Sequence, residues 1–303
     1  MDLLELYRWA VQAPETHATV LRLMFERLHP GHTPTVLRED FAGTSAEAVA
    51  WLALAPGRQA VAVDLDGPTV AWARRRAERL LGDCAAALQF VEADVVATAP
   101  PAVPAAHILS VLNFSILYLR EPAQLQAYLQ HAWHCLAPQG VLVLNLFGGP
   151  AAKKPRSDRH LITPQPRLPT EAAIPPFEYT WEQRHFDART RHIDCRIHFR
   201  TADPAHPGRV LDLRDAFRYR WRLWTVAELT SALHAAGFAT VQVWRHTHDP
   251  APGGAGVFLG AVDPRVLDPL AHWTAYVLAS RVSSEDGSAS SPSAARSGPS
   301  SAA

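Results

Sequence analysis

The feature that most constrains the fold is a short apolar strand that leads through an acidic turn directly into a helix. Residues 35–45 read TVLREDFAGTS, and the turn contains a single glycine, Gly43. A second apolar run, residues 60–63, ends on Asp64, twenty-one positions after that glycine. A strand, a glycine turn, a helix and a second strand that ends on a carboxylate form the front half of a nucleoside-binding α/β domain.

The glycine content of the turn distinguishes between two kinds of nucleoside ligand. A turn that binds the pyrophosphate of a dinucleotide carries three glycines, in the pattern G-x-G-x-x-G. One glycine is enough for a ligand without phosphates, such as S-adenosylmethionine (SAM), and Asp64 can still bind the ribose hydroxyls. The turn therefore favours SAM, although residues 44–47 (TSAE) can also be read as a capping box that simply begins a helix.

The same segment resembles motif I of class I SAM-dependent methyltransferases, which is an apolar pair, an acidic residue and G-x-G-T-G. Aligned on Gly43 and Thr44, the acidic residue falls on Glu39, and the first and last glycines fall on Phe41 and Ser45. The variant E-D-F-x-G-T is typical of a subgroup. The resemblance implies that Glu39, Phe41, Gly43 and Thr44 bind the methionine end of SAM, with S-adenosylhomocysteine (SAH) as the product.

Further positions follow the methyltransferase pattern along the first half of the chain. The resemblance implies that Asp64 holds the ribose, that Leu65 packs on the adenine and that Asp94 accepts the adenine amino group. Phe114 would cover the adenine or the sulfonium. A helix N-cap is the alternative role for Asp94, since any α/β sheet places polar residues at its carboxyl edge.

Residues 113–115 (NFS) end the fourth predicted strand, at the edge where open α/β sheets bind their ligands. The resemblance places this position between the methyl group and the substrate. Asn113 and Ser115 are therefore candidate catalytic residues, because the carbonyl of Asn113 could hold an acceptor amine. The resemblance also makes Asn113 a candidate cofactor-binding residue. The alternative is that both residues only cap the following turn.

Apolar strands alternate with helices over most of the chain, which is typical of a parallel sheet. We expect an α/β, Rossmann-like class I methyltransferase fold with a mostly parallel seven-stranded sheet and a β-rich insertion after strand 5. The predicted sheet closes with an antiparallel hairpin of residues 240–244 and 257–262. An amphipathic stripe of Leu267, Leu270, Trp273 and Val277 predicts a final helix over residues 265–281.

These elements predict five regions. They are a helical cap (1–30), a SAM-binding core (31–149), a β-rich substrate lid (150–224), the C-terminal part of the core with helix, hairpin and helix (225–282), and a disordered tail (283–303). Residues 150–176 contain seven prolines and little periodicity, and they are predicted to be a long loop.

The lid concentrates aromatic and basic residues. Between residues 151 and 222 there are fifteen Lys and Arg against nine Asp and Glu, whereas the whole chain has a net charge of zero. Candidate substrate-binding residues are Trp181, Trp221, Arg220 and Arg222, together with Tyr7 of the first helix, and Glu182 is a candidate general base. The alternative is a small aromatic core with solvated arginines outside it. An anionic substrate is one option if an arginine faces the site.

Composition excludes several classes of function. Zero net charge gives no general attraction to nucleic acid or to an acidic membrane, and no apolar run reaches the length of a membrane span. Three scattered cysteines, without a C-x-x-C pair or a signal peptide, indicate the cytoplasm. His131 with His134 and His246 with His248 lack an acidic partner at metal spacing, so no metal is expected.

The sequence therefore predicts a SAM-dependent methyltransferase that acts on a small molecule, as a monomer or a homodimer. In-line methyl transfer from a sulfonium needs alignment and desolvation more than a catalytic triad. Two alternatives stay open. One is an NAD-linked oxidoreductase, which the missing glycines disfavour, and the other is a SAM-binding module without turnover.

Overall fold

The computed structural model describes residues 1–165, 174–203, 205–206, 208–246 and 257–281, so the predicted tail at 283–303 and His248 lie outside the described residues. The chain forms one large sheet with helices on both faces and a smaller antiparallel sheet. In chain order, the helices and strands are α1 Leu3–Val11, α2 Pro14–Leu28, β1 Val36–Asp40, α3 Ala46–Ala53, β2 Gln59–Asp64, α4 Gly67–Leu81, β3 Leu88–Glu92, β4 Ala106–Val111, α5 Pro122–Cys135, β5 Leu136–Gly148, β6 Arg156–Ile162, β7 Phe177–Phe186, β8 His192–Ala202, β9 Val210–Arg222, α6 Val226–Ala235, β10 Thr240–His246, β11 Val257–Ala261 and β12 Trp273–Ser280.

The large sheet has the strand order β11-β10-β12-β5-β4-β1-β2-β3. Strands β1 to β5 are parallel to one another, and β12 runs antiparallel between β5 and β10. The strand order reverses between β1 and β4, because β1 pairs with β2 on one side and with β4 on the other. Ligands of open α/β sheets bind at such a switch point, outside the carboxyl ends of the strands.

Alternate residues of the central strands enter two separate cores. Val61 and Val63 of β2 pack into a cluster that includes residues of α5 and α6, whereas Ala60 and Ala62 pack with residues of α2 and α3. A strand that is buried on both faces needs a continuous apolar sequence. The expected α/β fold with a mostly parallel sheet is thus confirmed.

The predicted final helix over 265–281 is wrong. Only Pro264–Leu267 form a short helical turn, and Trp273–Ser280 form β12. Ala275, Val277 and Ala279 enter one core while Tyr276 and Leu278 enter the other. The segment is a doubly buried strand, whose continuous apolar run also fits a helical period by coincidence.

The predicted closing hairpin is present, since β10 and β11 are antiparallel neighbours at the sheet edge. In the described part of the chain the sheet nevertheless has eight strands and not seven, because β12 adds to it. β12 lies between β5 and the hairpin strand β10. Residues 247–256, which connect the hairpin strands, lie outside the described part of the chain.

The small sheet, here called the insertion sheet, consists of β6-β7-β8-β9 in that order, all antiparallel. The predicted long loop over 150–176 is wrong for Arg156–Ile162, which form the edge strand β6 and pair with β7. This strand reads RSDRHLI, and its charged residues are typical of an exposed sheet edge and hide the strand pattern.

The helices are modest in length. The longest described helices, α2 and α4, have fifteen residues each. Helix α6 begins with a capping box, since the side chains of Thr225 and Glu228 each bond to the backbone of the other. No helix in the described ranges combines the length and the apolar character that crossing a membrane requires.

Candidate active site

A cavity of about 560 Å³, here called the first cavity, lies at the carboxyl ends of β1, β2, β3 and β4. It is lined by seven of the nine predicted cofactor-binding residues: Phe41, Gly43, Thr44, Asp64, Leu65, Asp94 and Asn113. Ser115 also lines it. Tyr7 of α1 and Tyr219 and Trp221 of β9 complete the wall, so the first cavity lies between the large sheet and the insertion sheet.

The turn from β1 to α3 holds three residues in left-handed conformation. The φ angles are +55° at Phe41, +48° at Gly43 and +52° at Ser45. Phe41 and Ser45 are the two positions where the resembled motif has glycine. Glycine adopts the left-handed conformation freely, whereas for other residues this conformation costs about 1–2 kcal/mol. The variant sequence therefore keeps a turn of glycine-like shape, and no capping bond from Ser45 is formed.

Asp64 connects β2 to this turn. Its carboxylate accepts hydrogen bonds from the backbone N–H of Gly43 at 2.6 Å and of Asp66 at 3.0 Å. The bond to Gly43 fixes the distance between the two strand ends. The carboxylate thus lies on the wall of the first cavity, where a ribose would be expected.

An exposed apolar residue and a further acidic residue also line the first cavity. The side chain of Leu65 is 71% exposed, and such exposure of a leucine in a cavity offers an apolar surface to a ligand. Asp94 accepts a hydrogen bond from the backbone N–H of Val96 at 3.1 Å. Asp94 therefore has a structural role in its turn and also lines the cavity.

A fully buried arginine, which we did not single out from the sequence, holds the loop after β3. Arg38 donates to the carbonyls of Val95 at 2.9 Å and Thr98 at 2.6 Å, and to the carboxylate of Asp40 at 2.7 Å. Tyr128 of α5 donates to the second oxygen of Asp40. The sequence gives no signal for this role, because only the folded structure shows which loop the side chain of Arg38 reaches.

The turn after β4 also has unusual backbone geometry. Asn113 and Phe114 have φ angles of +53° and +62°, and Asn145 of β5 accepts the backbone N–H of Phe114 at 2.8 Å. Holding a residue other than glycine in this left-handed conformation costs of order 1–3 kcal/mol, and such residues cluster at functional sites. Asn113 lines the first cavity, whereas Phe114 faces the adjoining second cavity described below.

Glu39 lies behind the turn and not on the cavity wall. It is buried, and its carboxyl accepts the N–H of Ala48 at 2.9 Å, so the structure does not place it against a ligand. Burial and the neighbouring Glu47 raise the pKa of Glu39 well above its usual value. Burial opposes ionisation of Glu47 as well, but the hydrogen bond and charge of His17 outweigh it and lower the pKa of Glu47.

A second cavity of about 350 Å³ adjoins the first. Tyr7, Asn113, Tyr219 and Trp221 line both cavities, so the two meet at these residues. Trp181 lies on the same wall, with its ring 5.9 Å from that of Trp221. The predicted substrate residues Tyr7, Trp181 and Trp221 are thus brought together, and this wall of the second cavity is mainly aromatic.

The edge strand β6 supplies polar groups to the second cavity. Arg156, Asp158 and His160 alternate along the strand and therefore share one face. Arg156 forms an ion pair with Asp158, and the ring of His160 stacks on Tyr179. We did not identify these residues from the sequence, since the segment was predicted to be a loop.

Two of the predicted substrate-binding residues, Arg220 and Arg222, line neither cavity. Arg220 is exposed, since it points to the face of β9 opposite to Tyr219 and Trp221. Arg222 donates to Glu228 and to the carbonyl of Arg120, and its guanidinium lies over Trp224. These contacts give it a structural role at α6.

Glu182, predicted as a general base, lies on the outer face of the insertion sheet. It accepts hydrogen bonds from Arg184 at 2.8 Å and His198 at 2.9 Å. Glu182, His198 and Asp215 are the single group of possible metal ligands in the described part of the chain. Arg184 contacts both carboxylates, and the N–H of Asp215 occupies Nδ1 of His198, so this group does not fit a cation site.

The similarity of this chain to known proteins lies in its structure. No protein-family model matches the sequence, and no curated protein matches it significantly. The structure is similar to CalS10, an amino pentose methyltransferase from Micromonospora echinaspora, with a TM-score of 0.63 and 16% identity over 93% of this chain and 98% of that chain. It is also similar to the sugar N-methyltransferase KedS8 from a Streptoalloteichus species, with a TM-score of 0.62 and 17% identity over 93% of both chains.

A third similar structure is a SAM-dependent methyltransferase from Clostridium acetobutylicum, with a TM-score of 0.59 and 12% identity over 90% of this chain and 96% of that chain. These likenesses extend over nearly the whole chain, including the insertion sheet. They show that the chain has the class I methyltransferase fold.

Proposed function

We propose that this protein is a SAM-dependent methyltransferase that methylates an amine nitrogen of a small polar molecule. The observation that carries the proposal is the meeting of the two cavities at Tyr7, Asn113, Tyr219 and Trp221. One cavity has the residues expected for a nucleoside, and the other has an aromatic wall of the size needed for a small acceptor.

The residues present fit SAM better than a dinucleotide. Asp64, Asp66 and Asp94 line the first cavity, and no Lys or Arg among the described residues does so. Three carboxylates would repel a pyrophosphate, whereas they suit the ribose hydroxyls and adenine amino group. Leu65 would pack against the base. When bound, SAM would supply a methyl group on a positively charged sulfur.

The charges around the second cavity favour an amine acceptor. The described arginine that lines it, Arg156, is already paired with Asp158, and Arg220 and Arg222 lie elsewhere. An anionic acceptor would therefore find no unpaired arginine among the described lining residues, contrary to the option that the sequence left open. Aromatic rings such as those of Trp181 and Trp221 attract ammonium and sulfonium groups through their π faces.

The similar structures support the same acceptor class. CalS10 is an amino pentose methyltransferase, and KedS8 is a sugar N-methyltransferase. The chain's own residues would act mainly by positioning, since alignment of two bound reactants can supply most of the rate. Asn113, at the junction, has an amide that can accept a hydrogen bond from the acceptor nitrogen.

The test is the release of SAH from SAM in the presence of small amines, carboxylates and phenols. We expect SAH with a small amino sugar, together with a product that is one methyl group heavier by mass spectrometry. The N-acetylated form of the same sugar is the matched control, because its nitrogen is no longer basic. Release of SAH with carboxylates or phenols only would refute N-methylation, and release with no acceptor at all would indicate binding without turnover.

A further inference from the structure

A histidine and a buried carboxylate form a pair at the wall of the second cavity. Nδ1 of His17 on α2 lies 2.9 Å from a carboxylate oxygen of Glu47 on α3. Glu47 is fully buried, whereas His17 is half-buried and lines the cavity. In the part of the chain that the structure describes, no group forms a hydrogen bond with Nε2 of His17. This nitrogen is therefore available to a ligand.

The pairing determines which nitrogen of His17 can accept a proton. A carboxylate only accepts hydrogen bonds, so the neutral ring carries its hydrogen on Nδ1 and its lone pair on Nε2. The pKa of Glu39 is raised by burial and by Glu47, whereas the bond to His17 lowers that of Glu47, so Glu47 is the more acidic member of the buried pair. A negative charge on Glu47 would stabilise an imidazolium at His17.

Other titratable groups at this cavity are poorer bases. Burial raises the pKa of Tyr7, Tyr179 and Tyr219, so these phenols keep their protons. His160 and His272 also line the cavity but are exposed at its rim. Asp158 is paired with Arg156, as described above. His17 is thus the described lining histidine that is both partly shielded and joined to a buried carboxylate.

We propose that His17, oriented by Glu47, is the general base of the reaction, an inference that rests on the proposed function. The acceptor enters as an ammonium, and its N–H proton passes to Nε2 of His17. The freed lone pair of nitrogen forms the new N–C bond, while the electron pair of the broken S–C bond stays on sulfur. The proton leaves His17 to solvent when the products depart.

Several groups around this pair bear on its pH dependence. Glu47 and Glu39 lie behind the ring, and Gln12 donates to Glu47 at 3.5 Å. Tyr276 of β12 is also near, and burial with the charge of Glu47 raises its pKa to about 12. Burial also raises the pKa of Tyr7, so both of these phenols keep their protons around neutral pH. The pH profile of the wild type is therefore compared with that of His17→Ala.

The first test needs no acceptor. Nitrogen-15 NMR of the histidine rings should show the neutral form of His17 with its hydrogen on Nδ1, and Glu47→Gln should change the chemical shifts of both ring nitrogens. His206, whose Nδ1 lies 2.9 Å from Asp203 in an exposed loop, is the control. Its nitrogen shifts should be the same in the Glu47→Gln protein. A hydrogen on Nε2 of neutral His17 would overturn the proposal.

The second test uses the amine that gives the fastest SAH release. His17→Ala should lower kcat/KM by about 100-fold, which is the typical effect of losing a general base, and should leave SAM affinity within twofold. Added imidazole should restore part of the rate, since it fills the space left by the ring. The wild-type rate should rise with pH, and this rise should be absent in His17→Ala. His206→Ala is the control.

The outcomes separate the two proposals. If the wild-type protein does not bind SAM, the proposed function itself is refuted. Normal SAM binding and turnover in His17→Ala, with an unchanged pH profile, would refute only the role of His17. If His17→Ala does not fold, His17→Gln keeps the volume of the side chain, and its rate and pH profile decide in the same way.

Discussion

At the scale of single residues, the first cavity depends on one carboxylate more than on any other side chain. Asp64 both fixes the β1–α3 turn through Gly43 and faces the cavity. The sequence predicts its place because a carboxylate directly after a buried strand must lie at the carboxyl edge of the sheet. Glu39, although it belongs to the same motif, turns out to support the helix behind the turn.

We predict that Asp64→Ala weakens the affinity for SAM by at least tenfold, which corresponds to about 1.4 kcal/mol. The ribose would lose its acceptor, and the N–H of Gly43 would lose its partner. Isothermal titration calorimetry measures the change, with Asp83→Ala at an exposed position as the control. An unchanged affinity would mean that the ribose binds elsewhere.

The buried Glu39 gives a prediction about pH. Its pKa is raised by burial and by Glu47, so the folded protein retains a proton that the unfolded chain releases above the ordinary Glu pKa. The stabilisation that this group contributes is fully present below the pKa of the unfolded chain. It is lost as the pH rises towards the pKa that Glu39 has in the folded protein. Glu39→Gln cannot release a proton. Its free energy of unfolding relative to the wild type should therefore increase with pH.

Urea unfolding between about pH 5 and pH 8 tests this, because Glu carboxyls of unfolded chains are ionised throughout that range. The difference between Glu39→Gln and the wild type should grow across it, by at most about 1.4 kcal/mol per pH unit. Glu78→Gln, at an exposed position of α4, should show a constant difference. A constant difference for Glu39→Gln would show that Glu39 is ionised in the folded protein.

At the scale of elements, the sequence predicts secondary structure best where the helical period and the strand period of apolar residues can be told apart. Strands β1 to β5 and the helices between them follow from runs of apolar residues, capping residues and glycines. β12 could not be distinguished from a helix, because an apolar run fits both patterns until its neighbours are known. β6 could not be found, because half of an exposed edge strand is charged.

The placement of β12 predicts a large effect of truncation at its centre. Val277 is completely buried and pairs with Leu144 of β5 and Val243 of β10. Val277→Ala should lower the free energy of unfolding by about 2 kcal/mol, through lost burial and a new cavity. Val266→Ala, whose side chain is 43% exposed, should change it by less than about 0.5 kcal/mol. Equal effects in urea unfolding would contradict a central position for β12.

At the scale of the whole molecule, the site is made from parts that are distant in sequence. Tyr7, Asn113, Tyr219 and Trp221 meet at the junction of the two cavities. The sequence predicts that β7 and β9 each have one aromatic face, since alternate residues share a face. It does not predict which face turns to the core, and for that reason Glu182, Arg220 and Arg222 were expected in the site and lie outside it.

The same limit applies to His17. Its contact with Glu47 spans thirty residues and two helices, and no motif spacing indicates it. The pair becomes visible only when α2 packs on α3 beside the second cavity. The residues of the proposed cofactor site can therefore be predicted largely from local sequence, whereas those of the proposed acceptor site depend on packing between elements.

The most direct measurement of the central claim is a calorimetric titration of the protein with SAM, SAH and NAD under the same conditions. Because the first cavity has three carboxylates and no lining cation among the described residues, we predict that SAM and SAH bind at one site per chain and that NAD gives no binding heat. Binding of NAD, or no binding of SAM, would contradict the account.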